Sequence, residues 1–438
     1  MIKRIMTSVF LLVMPVLSLG TFPANAQEEI TITWRTRPDS GLEAQIYMAL
    51  SESIDARLDG ITLVYEAGSD ESTASYRETL LTQAADHSAP DIFWIRGADL
   101  ATFVSAGAIA NLNRLASADA DFDIDVFYPQ IVQELTYDPA TSMSDSADTL
   151  WGLPRDVSSF ALYVNQDLFE QAGLDNPTEL LETDDWNWET FAESAAAISD
   201  LGNDIYGFGM NTGWASWWLW FNEAGGSYFN AARSQCALNS EEVNRALTFL
   251  SDLYETGAAA PLSTDSERLF AAGDLGMFLN GRWGTPNILA QATFSWDYAE
   301  VPAGPAGQSN WMFWGAYVAS ADSASDPERG AAIWRTLKEL TNVESQSLLT
   351  ALGATIPSRR SDDAIRAFLT AIPDKNSAAF TQALADYALA EAPLWNSSFE
   401  AYDAIANQAL TRVINGDMTM ADFTASICDD LDPLLKSE

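Results

Sequence analysis

The chain has 438 residues, with 62 acidic and 22 basic side chains and a formal net charge of −40. So negative a surface repels nucleic acid and anionic membranes, so neither is an expected partner. The length exceeds the usual size of one core; two domains are expected, and the 47% hydrophobic content suffices to fill them.

Lys3 and Arg4 open the chain, residues 5–19 are apolar, and Ala24-Asn25-Ala26 has the form of a processing site. This is the build of a secretory signal peptide over residues 1–26. The apolar run falls short of the roughly 20 residues that span a bilayer; an uncleaved anchor is the other reading. Cleavage is expected before Gln27, outside the cytoplasm. Loss of Lys3 and Arg4 takes the charge from −40 to −42. Lysine is then reduced to Lys338, Lys375 and Lys436. An acidic, lysine-poor surface suits a salty medium, where screening relieves self-repulsion. Salt adaptation is the favoured reading, and ordinary acidic drift is the alternative.

Ile30 and Ile32 alternate with Thr31 and Thr33, the pattern of a strand. Leu42, Ile46, Leu50, Ile54 and Leu58 recur every four residues and predict one apolar helix face. Ile61, Leu63 and Tyr65 alternate again, residues 73–86 read as helix, Ile92–Ile95 as a buried strand, and Ala98–Ser105 as helix. The order βαβαβα implies a parallel sheet with helices on both faces. Ligands of such sheets sit beyond the carboxyl ends of the strands, which points to Arg35, Thr36 and Arg37, and to Arg96, Gly97 and Asp99.

Asp119, Asp121, Asp123 and Asp125 alternate like a calcium loop, but the required Gly and closing Glu are missing, so a solvated acidic loop is expected. Residues 138–149 are polar loop, and Phe160–Val164 is strand-like. Residues 182–189 precede a helix. Residues 240–256 form another, capped by Ser240 with Glu241 and Glu242 in its first turn. Residues 303–310 are a Gly/Pro loop, and beyond Pro327 the pattern is almost wholly helical to Leu435. Cys236 and Cys428 allow one disulfide in an oxidising compartment. Two buried thiols are the other reading.

The enzymatic signals fail. There is no G-x-S-x-G elbow, P-loop or zinc spacing, and Gly207-Phe208-Gly209 has the wrong spacing for a dinucleotide fingerprint. A single His87 excludes most His-based metal and triad chemistry. Carboxylate pairs arise by chance among so many acids. No catalytic residue, cofactor or metal is expected. The positive signal is aromatic: of 15 tryptophans, several lie in loops or beside glycines, namely Trp94, Trp151, Trp186, Trp188, Trp214, Trp217, Trp218, Trp283, Trp311, Trp314 and Trp395. Indole covers the apolar face of a sugar ring while Asp, Asn and Arg bond its rim. Core packing is the competing role for each ring.

Several segments stand in a familiar order: Ala89-Pro90-Asp91-Ile92-Phe93-Trp94, Ala106-Gly107-Ala108-Ile109, Trp151-Gly152-Leu153-Pro154-Arg155-Asp156, Leu162–Phe169 and Ala172-Gly173-Leu174. Phe270–Met277, Gly281-Arg282-Trp283 and Val413–Asp417 follow. With them the chain resembles the extracellular solute-binding proteins of ABC importers, the family of maltose-binding protein, over nearly its whole length after the leader. The resemblance implies an α/β fold of two lobes, with parallel-type sheets flanked by helices and a hinge between the lobes. It implies an N-terminal lobe of 27–157 plus 319–372 and a C-terminal lobe of 158–318 plus 373–438, with crossings near 156–160 and 316–320 and a helical return near 372.

By position in the family pattern, Arg35, Arg37, Arg96, Asp99, Asp156, Trp218, Trp283 and Trp314 are the expected ligand residues. Trp283, between glycines, is the expected stacking platform. Arg155 and Arg282 read either as ligand contacts or as charges that neutralise neighbours, and Asp91 as a strand-end residue. The implied function is capture of a carbohydrate by hinge closure and its delivery to the membrane permease subunits of an ABC importer, by a periplasmic monomer that breaks no bond. The missing lipobox favours a free protein. An acidic sugar or polyol phosphate is an alternative ligand, and a secreted carbohydrate-active hydrolase an alternative class.

Overall fold

The computed structural model describes residues 29–435, apart from 37–41, 68–72, 142–143, 232, 352, 354 and 391–398. The leader, Arg37, Trp395 and Lys436 lie outside the described residues.

Strands β1 (Ile30–Arg35), β2 (Ile61–Tyr65) and β3 (Ile92–Arg96) alternate with the helices Leu42–Asp55 and Thr73–Ala85. They pair in parallel, Ile30 beside Ile61 and Trp34 beside Ile92. The alternation read in the sequence is the burial pattern: Ile32 and Trp34 face the core, and Thr31 is exposed. On the first helix Tyr47, Leu50 and Ile54 are buried, and Leu58, three residues past its end, is buried with them.

The remaining strands are β4 (Leu153–Ser158), β5 (Phe160–Asn165), β6 (Tyr206–Met210), β7 (Leu275–Gly281), β8 (Trp296–Ala299), β9 (Asn310–Ala319), β10 (Ile356–Pro357) and β11 (Ala388–Ala390). The first sheet has the order β10-β4-β9-β3-β1-β2, with β11 beside one end of β9. The parallel order holds for β1–β3. Beyond β3, strands β9, β4 and β10 join antiparallel. β9 arrives from the other sheet, whereas β4 and β10 each follow a run of helices within this region, so no single βαβ crossover fixes their direction. A second sheet has the order β6-β7-β5-β8, with β6 parallel to β7 and β5 antiparallel to both its neighbours.

Two passages join the sheets. Only Ser159 separates β4 from β5. β9 pairs with β11 through Met312 and Ala390, then with β4 through Phe313 and Ser158. The Asn310 side chain accepts from the Phe160 N–H at 2.9 Å and donates to the Phe160 carbonyl at 2.9 Å. One amide thus supplies the bonds a further strand would have made, and it ties the two passages together.

β5 sorts its side chains by the two-residue period. Ala161 and Tyr163 join a cluster with Phe278, Tyr298 and Phe380, continuous with the core of the first sheet. Leu162 and Val164 join a second cluster with Phe191, Trp220, Leu247 and Leu250. These come from the helices Trp188–Ser199, Trp214–Glu223 and Glu241–Glu255. The last begins at Ser240, whose hydroxyl accepts from the Val243 N–H.

Among the described residues after Pro327, the regular elements are helices apart from β10 and β11. Strands of two or three residues are too short for a periodic signal. The final helix, Met420–Leu435, buries Phe423, Ile427 and Leu431. It carries Cys428, which forms a disulfide with Cys236 across a Cα–Cα distance of 5.3 Å. The Asp432 carboxylate accepts from the Cys236 N–H at 2.7 Å beside it. Asp119, the first of the alternating aspartates, accepts from the Trp334 indole at 2.8 Å and pairs with Lys338. Among the described residues no helix is long and apolar enough to cross a membrane.

Candidate binding cleft

A continuous run of aromatic rings crosses the junction between the sheets. Trp283 follows β7 and is 39% exposed. Its ring folds back over Gly281, where a Cβ would meet ring carbons at 2.1–2.4 Å, so only glycine fits there. Trp283 lies 5.3 Å from Phe313 and 6.1 Å from Phe160, edge to face. Phe313 and Trp311 share a face of β9 because they are two residues apart. Trp214 and Trp218 share a face of their helix because they are four apart. Trp214 stands 6.4 Å from Phe313 and 5.1 Å from Trp311. Trp218 stands 5.0 Å from Trp311 and stacks on Tyr228 at 5.0 Å. Two periodicities thus assemble one surface.

Two cavities open along this run, and Trp214 lines both. The larger, about 490 Å³, is walled by Trp214, Trp218, Trp311, Phe229, Asn222 and Arg233. The smaller, about 250 Å³, is walled by Arg77, Arg96, Asp99, Glu400 and Asp403. Arg77 belongs to the helix Thr73–Ala85 and Glu400 to the helix Phe399–Ile414, so the smaller cavity lies between the two regions. Arg96 grips Asp99 with two bonds of 2.8 Å. Arg77 stands 3.5 Å from Asp99 and also pairs with Glu400. Burial pushes the Asp403 carboxyl up to about 6, and one of its oxygens has no partner. A pocket with aromatic faces and carboxylates at its edge can stack a ring and accept bonds from hydroxyls.

Of the residues expected at a ligand, Trp218, Arg96 and Asp99 line the cavities. Trp283 heads the ring run, with its indole open to solvent. Arg35 pairs with Glu66 at 2.7 Å and Gln83 at 3.1 Å and lines neither cavity. Asp156 gives one oxygen to Arg155 at 2.8 Å. Its other oxygen and the Trp94 indole N–H are buried without a partner, and both crowd Gly315. Trp314 is 3% exposed, with its indole against Gly97. Arg37 lies outside the described residues.

Arg155 and Arg282 are buried. Arg155 bonds Asp156 and the hydroxyls of Tyr47 and Tyr317. The Arg282 guanidinium lies 4.7 Å from the centre of the Phe368 ring and donates to the Gly353 carbonyl at 2.8 Å. Arg155 thus has a carboxylate and two hydroxyls for partners, and Arg282 a carbonyl, the Ser377 hydroxyl and aromatic rings. The sequence reading did not single out Asn222, Phe313, Arg77 or Asp403 for the site. The four-residue spacing of Trp214, Trp218 and Asn222 was the one available signal. Nothing local marks Arg77 and Asp403, which line one cavity from the two regions.

Residues 43–347 match the family described as bacterial extracellular solute-binding protein. A binding protein of Brucella abortus (strain 2308) is 29% identical over 166 residues, or 36% of this chain and 39% of that protein. The chain thus matches well under half the length of these curated relatives. Among solved structures, an ABC substrate-binding protein of Listeria monocytogenes in complex with cycloalternan superposes with a TM-score of 0.80 at 21% identity, covering 94% of this chain and 100% of that one. Maltose-bound MalE3 of T. maritima superposes with a TM-score of 0.73 at 19% identity, covering 92% and 100%. Identities this low carry the fold, two lobes of helix-flanked sheet, and no more.

Proposed function

Since the chain belongs to the bacterial extracellular solute-binding proteins, we propose that it captures a carbohydrate in the cleft between its two sheet regions and delivers it to an ABC permease. The ring run from Trp283 to Trp218 is the observation that carries this reading. A sugar laid on Trp283, Trp214 and Trp311 removes its C–H faces from water, and Asp99, Glu400 and Asp403 accept bonds from its hydroxyls. The similar structures from Listeria and T. maritima hold cycloalternan and maltose, ligands of the same class.

The lobes of this reading are 27–157 plus 319–372 and 158–318 plus 373–438, joined at Ser159 and along β9. Ligand held by the rings of one lobe meets Arg96 and Asp99 of the other, and the closed form is favoured by that differential contact. The protein works in the periplasm as a monomer after cleavage at Ala26, and it carries out no chemistry on its ligand. Isothermal titration of the chain from Gln27 with a panel of neutral sugars, uronates and polyols tests the reading. Binding of at least one member is expected, with small-angle scattering showing a more compact particle in its presence. A panel without a single binder overturns it.

A further inference from the structure

The two cavities that share Trp214 differ in chemistry. The smaller has the carboxylates of Asp99, Glu400 and Asp403 on its walls. The larger has none, in a chain with 62 acidic residues. Its polar side chains offer donors. The Trp218 indole N–H and the Asn222 amide nitrogen are both buried without a partner. They lie four residues apart on the helix Trp214–Glu223, and both line the cavity.

Other polar groups of the wall are already engaged. The Trp311 indole donates to the Ala215 carbonyl at 3.0 Å. Asn230 donates to Ser234 at 3.2 Å and accepts from its N–H at 2.9 Å, which fixes the loop that carries Arg233. Arg233 adds a guanidinium to the wall, with Glu134 of the opposite region in its field. A buried donor without an acceptor costs stability in the empty protein, and a ligand that brings the acceptor recovers that cost.

A neutral sugar is mostly hydroxyl, and a hydroxyl offers a proton as readily as it takes one, so a sugar pocket pairs acceptors with donors. A wall of donors suits a group that only accepts. Resting on the carbohydrate reading above, we propose that the larger cavity is a subsite for the carboxylate of a uronic acid, held by Trp218, Asn222 and Arg233 while the neighbouring hydroxyls face the carboxylates of the smaller cavity. The ligand class is then an acidic saccharide. The overall charge of the protein gives no attraction at long range, so selection rests on this local reversal of sign.

Matched pairs isolate the carboxylate: D-galacturonate against D-galactose, D-glucuronate against D-glucose, and digalacturonate against the neutral galactose dimer, with sn-glycerol 3-phosphate as the other anion. Calorimetric titration of the chain from Gln27 is expected to show the acid of a pair bound about tenfold or more tighter than its neutral partner. Asn222→Asp places a like charge where a donor stood, and Arg233→Gln removes the cation. Each is expected to bring the ratio within a pair close to one, with circular dichroism confirming the fold. Neutral members bound as tightly as the acids, a preference that survives both substitutions, or glycerol phosphate bound in place of every uronate overturns the subsite. In those first two results the carbohydrate reading still stands. Failure of every sugar, acidic and neutral, overturns both.

Discussion

Two buried carboxyl groups, one in each region, show how differently the regions are held. Asp91, just before β3, is 2% exposed and takes two bonds of 2.7 Å from Arg329. It also accepts from the Thr33 N–H at 2.8 Å and hydroxyl at 3.1 Å. Burial pushes its carboxyl up, but the Arg329 and Thr33 bonds outweigh burial and hold it below the usual range. Glu223, at the end of the Trp214–Glu223 helix, is fully buried and accepts from the Trp188 indole at 2.7 Å and from the Ser309 backbone, with no cation beside it among the described residues. Burial pushes it well above the usual range. Arg329 and Thr33 favour the charged form of Asp91, and burial favours the neutral form of Glu223. The lesson is that in a cation-poor chain an interior carboxyl takes the state its few partners permit. The first region places an arginine at the acid. The second relies on rings and a disulfide.

The largest expected effect comes from that disulfide. It joins residues 192 apart, and closing so long a loop restricts the unfolded chain by up to about 5 kcal/mol. Cys236→Ser with Cys428→Ser, followed by urea denaturation, is expected to lower the midpoint sharply. A loss under about 1 kcal/mol would break the claim that the second region depends on its staple.

Asp91→Ala is the matching test on the first region, with an expected cost of about 2–3 kcal/mol, because the Thr33 N–H and hydroxyl lose their acceptor while Arg329, 38% exposed, is partly re-solvated. The pH dependence has a definite sign. The folded carboxyl titrates below its ordinary 3.8, so its contribution is present above that value and is lost as pH falls through the folded value. The variant should therefore lose stability less steeply in acid than the parent does. Identical acid limbs in thermal melts would remove Asp91 from the account.

Trp283 sharpens the comparison from outside both cores. Trp283→Ala is expected to weaken a bound sugar by about 2 kcal/mol, with little change in the unliganded Tm because the ring is 39% exposed. A large fall in Tm with affinity retained would make the ring a packing element instead.

The smallest effect belongs to Glu223→Gln. A protonated acid and an amide have nearly the same shape, and glutamine keeps an acceptor for Trp188, so the change near pH 4.5 should stay within about 0.5 kcal/mol. The raised folded value means that the acid's contribution is full below its ordinary 4.5 and is lost as pH rises through the folded value. The variant should thus gain on the parent as pH increases, opposite in sign to Asp91. Stability profiles of the two that run parallel from pH 4 to 8 would show Glu223 to be ionised.

The sequence made the regular parts legible and left the meeting of distant parts open. β1, β2, β3 and the Glu241–Glu255 helix were readable because each repeats a burial pattern over enough residues to show its period. β10 and β11 were not, because two or three residues carry no period. Trp218 and Trp283 were singled out as candidates by position in the family pattern and by what indole does with a sugar face. That argument could not separate them from Trp314, which the structure buries against Gly97. Arg35 stood at the expected strand end, yet Glu66 and Gln83 claim its guanidinium.

What the sequence determined by itself was the set of local preferences: the βαβαβ start, the helix cap at Ser240, the even pair of cysteines, the surplus of tryptophan and the scarcity of cations. These depend on neighbours within a few positions, where spacing alone fixes geometry. Tertiary structure decided which faces meet. It placed β9 between β3 and β4, set Arg77 against Glu400 and Asp99, and gathered Trp214, Trp311 and Phe313 from a helix and a strand into one surface. Those contacts join residues far apart in the chain. Their energies come from burial and pairing that exist only once both partners are in place.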